Sequence, residues 1–126
     1  MKKLFLLFIL LVLPTFTYAE FIYFDKTNEG DEWSIDYSSI IKKNNTSRMW
    51  TMLNYKNIQP TNVMSDKVYE EYDCGEKKGR YLSYIAYSER NGKGDVLYQS
   101  DKITNWTFIA PQTTRDNMYK IACNKK

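Results

Sequence analysis

The chain contains two cysteines, Cys74 and Cys123, and it opens with the pattern of an export signal. Met1-Lys2-Lys3 is a short positive stretch, Leu4 to Leu13 an apolar run, and Thr17-Tyr18-Ala19 a small-residue cleavage site. Export carries a chain into an oxidising compartment, where two thiols are expected to close a disulfide. That bridge constrains the fold more than any other feature, because it pins the last residues of the chain onto a point near mid-chain. Neither cysteine belongs to a C-x-x-C pair, so the expected role is structural and not redox.

Removal of residues 1–19 as a signal peptide leaves residues 20–126, the size of a single domain. The apolar run of about ten residues is too short for a bilayer core of roughly 30 Å, which takes about 20 residues to cross. No later run is longer, so no transmembrane segment is expected in the mature chain. The mature start, Ala19-Glu20-Phe21-Ile22, offers no cysteine for a lipid anchor. The expected location is periplasmic or secreted, with surface association requiring some other attachment. Of 18 basic residues, Lys2 and Lys3 leave with the signal, so 16 remain against 15 acidic ones. A nearly neutral chain of this kind lacks the basic stripe of a nucleic-acid binder. Lys77-Lys78-Gly79-Arg80 and Lys125-Lys126 are local basic clusters that read as a solvated turn and tail, or as a minor contact for an acidic partner.

Period-two alternation organises most of the rest. Phe21 to Phe24, Glu32 to Tyr37, Arg48 to Tyr55, Val68 to Cys74, Tyr81 to Ser88 and Val96 to Gln99 read as strands. Lys42 to Asn45, Gly75 to Gly79 and Asn91 to Gly94 read as the reversals between them, and Asn57 to Asn62 as a loop. Trp106 to Ile109 is a short extended segment. After Pro111, Thr113 or Thr114 can cap a helix of about ten residues, with Asp116 in its first turn. At 100° per residue, Met118, Tyr119, Ile121, Ala122 and Cys123 share one broad face of that helix. The fold class is therefore α+β: an antiparallel, meander-rich sheet with one C-terminal helix packed on it.

The helix can cover only part of one sheet face, and both faces carry large side chains. Simple alternation puts Leu82, Tyr84 and Ala86 on one side of their strand and Tyr81, Ile85 and Tyr87 on the other. Likewise Trp50 and Met52 oppose Met49, Leu53 and Tyr55. The second face must be left half-wet, or be covered by loops, by a second copy in a homodimer, or by a ligand. Trp50, Tyr81 and Tyr87, with Lys77, Lys78 and Arg80, make up the candidate binding surface.

Reactive chemistry is absent from the pattern. The chain has no histidine, which removes the histidine-based triads and the usual zinc and haem ligands. Gly92-x-Gly94 lacks the third glycine of a phosphate loop and reads as a turn. Asp31-Glu32 and Glu70-Glu71 are adjacent pairs whose side chains point to opposite faces of a strand, unlike cooperating catalytic carboxylates. No catalytic residue, metal site or cofactor is expected, and the function expected is non-enzymatic.

Three features in order resemble the surface-adhesin protein E-like family of Gram-negative bacteria. They are the aromatic strand Arg48 to Tyr55, then Tyr72-Asp73-Cys74 with Arg80 soon after, then Trp106-Thr107-Phe108-Ile109-Ala110-Pro111 followed by Cys123. The resemblance implies an antiparallel sheet of about six strands with a disulfide-tethered C-terminal helix. It also implies a protein partner, since the family includes an adhesin that dimerises and binds host extracellular-matrix and serum proteins. Haem binding, also attributed in the family, finds no histidine here. Two other roles fit the same residues. A periplasmic protein would hold a small ligand in an enclosed cavity near Trp50, Tyr84 and Met118, and a secreted inhibitor would present Lys77–Arg80 to a host hydrolase.

Overall fold

A computed structural model describes Pro14 and residues 19–124. The predicted export signal, apart from Pro14 and Ala19, and the Lys125-Lys126 tail lie outside the described residues. Among the described residues seven strands and one α-helix follow in chain order: β1 (Ile22–Lys26), β2 (Glu32–Lys43), β3 (Thr46–Asn54), β4 (Ser65–Asp73), β5 (Lys78–Glu89), β6 (Lys93–Ser100), β7 (Thr107–Phe108) and α1 (Thr114–Asn124). The first six form one antiparallel meander in the order β1-β2-β3-β4-β5-β6, and β7 pairs with the start of β5. The expected α+β architecture is therefore the one observed.

The turns follow their local chemistry. Lys42 and Lys43 still pair with Ser47 and Thr46, so the β2–β3 reversal is only Asn44-Asn45, with Asn44 at φ 55°. Asn tolerates that left-handed conformation better than most residues. Between β4 and β5, the Asp73 carboxylate accepts the Gly75 and Glu76 N–H groups at 2.9 and 3.0 Å, a side-chain substitute for backbone pairing. The β5–β6 reversal is a 3₁₀ turn, Arg90–Gly92, with Asn91, Gly92 and Gly94 all at positive φ. Gly92 stands at φ 65°, a left-handed conformation that glycine adopts without the strain a Cβ would bring.

Two strands depart from simple alternation. In β2 the pairing with β3 breaks between Asp36 and Ile41. Asp36 folds that stretch by accepting the Ser38 N–H at 3.1 Å, while Ser39 Oγ accepts the Trp50 N–H at 2.8 Å. The irregularity shifts the parity, so Ile35 and Ile40 both reach the core. In β5 a bulge opposite Tyr69-Glu70 pairs Ser83 with Tyr69 and Tyr81 with Glu70. Tyr81 thereby joins Tyr84 and Ala86 on one face, while Ile85 and Tyr87 stay on the other. The alternation expected for Tyr81 is corrected by this one extra residue.

The face that carries α1 is the front, and the opposite one the back. α1 packs on β2, β3 and β4. The core lies beneath it: Ile35, Ile40, Met49, Tyr72, Ile109, Met118, Ala122 and Cys123, with Tyr119 and Ile121 at its margin. Thr113 caps the helix, its Oγ1 accepting the Asp116 N–H at 3.1 Å, and the Asp116 carboxylate reaches back to the Gln112 N–H at 3.0 Å. At the other end Lys42 Nζ and Ser47 Oγ donate to the Cys123 and Ala122 carbonyls at 2.7 and 2.6 Å. These bonds satisfy carbonyls that a helix terminus leaves open. Cys74 and Cys123 form the expected disulfide, with their Cα atoms 5.6 Å apart.

A buried ionisable group also sits under the helix. Glu70 is fully buried, with its Oε2 accepting from Thr51 Oγ1 at 3.1 Å and its Oε1 3.9 Å from Arg115 Nε. Burial pushes the Glu70 carboxyl above the ordinary glutamate range, against the Arg115 charge and the Tyr72 and Thr51 hydroxyls. The unfolded chain ionises this group first, so its contribution is fully present at low pH and is lost as pH rises through the folded value. Asp66, likewise raised by burial, acts in the same direction. Glu70→Gln is expected to flatten the decline of the urea midpoint as pH rises above the ordinary glutamate range, without abolishing it. A variant whose midpoint declined as steeply as wild type would show that Glu70 ionises in the folded protein as easily as in the unfolded chain.

Candidate functional site

The back face is built as a ladder across three strands. Arg48, Glu71 and Arg80 occupy one register row of β3, β4 and β5. The Glu71 carboxylate accepts from Arg48 Nε at 2.7 Å and from Arg80 Nη2 and Nε at 2.6 and 2.9 Å. Burial works to raise the Glu71 carboxyl, but these hydrogen bonds and charges outweigh it and hold it below the ordinary glutamate range. On its other side the Arg80 guanidinium lies over the Trp106 ring, 4.1 Å from the centroid. The next row holds Trp50 stacked on Tyr69, with ring centroids 4.9 Å apart and planes 18° from parallel. One row further, Lys67 Nζ sits 5.5 Å from the Phe21 ring and 5.4 Å from the Tyr87 ring. Phe21, from the segment before β1, thus covers part of this face. The result is a half-buried strip of alternating aromatic and cationic side chains, each held by a neighbour.

The six candidate surface residues do not form one patch. Lys78, Arg80, Trp50 and Tyr87 share the back face through the register of β3, β4 and β5. Lys78 Nζ pairs with Glu76 at 2.9 Å and lies 4.7 Å from the Phe108 ring centroid. Lys77 instead sits in the turn before β5 and pairs with buried Asp116 at 3.0 Å, tying that turn to the N-terminus of α1. That ion pair, with the backbone bond of the Gln112 N–H, holds the Asp116 carboxyl below the usual aspartate range. Tyr81 lies on the front, with the Arg115 guanidinium 5.3 Å from its ring centroid. Lys77, Lys78 and Arg80 are therefore engaged within the fold, and Lys78 and Arg80 are strand residues. They do not project as a free inhibitory loop.

The enclosed cavity expected near Trp50, Tyr84 and Met118 is not formed by those residues. Met118 is buried in the core under α1, Trp50 faces the back, and Tyr84 faces the front beyond the helix. Instead, α1 leaves the β5–β6 end of the front bare. An open groove of about 620 Å³ lies there, walled by Tyr81, Tyr84 and Tyr98 and closed on one side by the segment between β6 and β7. Sequence reading missed it, because Tyr81 faces this side only through the bulge. Burial raises the hydroxyl of Tyr84 above the ordinary tyrosine value, as does its neighbour Asp66. Among the described residues no three His, Cys, Asp or Glu side chains gather to hold a metal ion. No described helix is long and apolar enough to cross a membrane.

Known proteins bear on this architecture in two ways. Several solved structures of Haemophilus influenzae protein E share the fold. One crystal form has a TM-score of 0.59 and 21% identity, covering 87% of this chain and 91% of that one. A second structure has a TM-score of 0.58 and 20% identity, covering 87% and 88%. Protein E from non-typeable H. influenzae has a TM-score of 0.57 at 20% identity, covering 87% and 79%. Among curated proteins no sequence matches. The family model described as surface-adhesin protein E matches residues 21–124, the whole of the sheet, the helix and both cysteines. The chain belongs to the surface-adhesin protein E family, and its fold is that of an adhesin-like binding module.

Proposed function

We propose that this protein is exported through a cleaved signal peptide and acts as a non-enzymatic adhesin, holding a host extracellular-matrix or serum protein against its back face. Family membership carries the proposal, and the back face supplies the chemistry. Tryptophan, tyrosine and arginine are the residue types enriched at the energetic centres of protein interfaces: the two aromatic ones bury large area with only about two side-chain torsions, and arginine brings a planar head with several donors. Here Trp50, Tyr87 and Arg80 are already held in place by Tyr69, Lys67 and Glu71. Less side-chain freedom then remains to be lost when a partner docks.

Fractionation of the native cells with surface protease shaving tests the location, and binding to immobilised matrix and serum proteins tests the partner class. Exposure on the cell surface or in the medium is expected, whereas confinement to the periplasm would rule out direct adhesion. The Trp50→Ala/Tyr87→Ala double variant is expected to weaken capture at least about tenfold, or about 1.4 kcal/mol, while circular dichroism confirms the fold. Unchanged capture would move the binding surface off the back face.

A further inference from the structure

The groove on the front face has no part in that adhesive surface, and its lining points to a ligand of a different class. Its walls are aromatic: the Tyr84 and Tyr98 rings stand 5.9 Å apart with planes inclined by 59°, so they form an open V. Ile103 adds an apolar surface, while Thr104 and Asn105 supply hydrogen-bonding groups at the rim. A second hollow of about 280 Å³ shares Tyr81, Thr104 and Asn105 with the first and ends at Arg115. The two adjoining hollows thus hold one cation each, Lys102 in the first and Arg115 in the second, with no carboxylate in either lining.

We propose that this groove is a binding site for saccharides that carry a carboxylate. A pyranose ring is amphipathic in the way the groove is: its C–H faces lie on aromatic rings while its hydroxyls meet polar groups around the edge. The volume is in the range of small-ligand sites. Charge sets the acidic preference. The preference rests on Lys102, which no ion pair engages among the described residues; Arg115 is already committed to Glu70 at 3.9 Å, to Thr107 Oγ1 at 3.2 Å and to the Tyr81 ring, and adds only its longer-range charge. The carboxylate closest in sequence to Lys102, Asp101, accepts a hydrogen bond from Ser83 Oγ at 2.9 Å.

The local backbone argues against the main alternative, an extended peptide that adds a strand to β5. Such a peptide needs free N–H and C=O groups along the strand edge. At Tyr81 both are already used: its N–H donates to Thr104 Oγ1 at 2.8 Å and its C=O accepts the Thr104 N–H at 3.0 Å. An entirely apolar ligand fits no better, since the groove is open to water and rimmed by Ser, Thr, Asn and Lys.

The test is titration of the isotope-labelled mature protein with a glucuronate-terminated disaccharide and with its neutral methyl ester, followed by amide chemical shifts. The acid is expected to shift residues 81–84 and 98–105, and to leave the back-face rows of Trp50 and Tyr87 unmoved. Tyr98 is 58% exposed, and Lys102 is also exposed, so neither truncation endangers folding. Tyr98→Ala should weaken binding about tenfold, and Lys102→Ala should weaken the acid several-fold without affecting the ester. Absence of shifts up to about 20 mM would overturn the proposal, as would an ester that binds as well as the acid. So would a tyrosine-ended peptide that shifts these residues when the sugar does not. Because the adhesive variants are Trp50 and Tyr87, failure here leaves the adhesin proposal standing, and the reverse also holds.

Discussion

Cys74→Ser and Cys123→Ser each lower the unfolding free energy by about 4 kcal/mol, the chain-entropy value for two cysteines separated by 49 positions. The loss falls on α1 first. Its 11 residues are too few to hold a helix in water alone, and the bridge removes from the unfolded ensemble the states in which the C-terminus wanders. The double variant is expected to be no worse than either single one, because both remove the same bond. Urea midpoints of the oxidised wild type and the variants measure the effect. Equal midpoints would mean that the remaining anchors suffice without the bridge. Those are Lys42 and Ser47 on the terminal carbonyls and the Tyr119 hydroxyl on the Cys74 carbonyl.

Met118→Ala is expected to cost about 2–5 kcal/mol. Met118 is 2% exposed, in the cluster that joins Ile35, Ile40, Met49 and Tyr72 of the sheet to Ala122 of the helix. Truncation removes apolar surface from that contact and leaves a void that the disulfide-tethered helix can only partly close. The better helix propensity of alanine returns no more than a few tenths of a kcal/mol. Phe108→Ala provides the contrast: that ring is 78% exposed, and its loss should stay within about 0.5 kcal/mol. A Met118→Ala midpoint shift as small as that of Phe108→Ala would mean that the helix rests loosely on the sheet.

The two variants differ in how far their positions could be read from the chain. Residues 1–19 read as an export signal, and on that reading Cys74 and Cys123 are an expected pair, since the redox compartment decides the chemistry of two thiols. Met118 followed from helical spacing. The meander was legible for the same reason: a run of alternating residues between turn signals has few other ways to bury its apolar side. Where the pattern broke, reading stopped early. Glu32 to Tyr37 was visible as a strand, but its continuation through Ser38, Ser39 and Ile40 depends on pairing with β3 across an irregularity.

The candidate surface shows the same division. Trp50, Lys78, Arg80 and Tyr87 do share one face, but alternation only sorts residues within a strand, and it is the register of β3, β4 and β5 with the docking of α1 that puts them opposite the core. Alternation alone puts Tyr81 beside Ile85 and Tyr87, but one bulge, set by how β4 and β5 pair, reverses its side. Lys77 reads in the sequence as part of a solvated turn and of the candidate surface, although it is held by Asp116, 39 positions further along the chain and carried over to it by the docking of α1.

Composition and local spacing thus determined what depends on near neighbours: strands, turns, the helix with its apolar stripe and the pairing of the cysteines. The tertiary structure alone decided which residues meet across strands and which part of the sheet the helix leaves bare. Those outcomes depend on register, where a single added residue exchanges the two faces of a strand. They depend equally on long-range docking, whose energy comes from contacts between segments far apart in the chain. The back-face ladder and the tyrosine groove both belong to this second class.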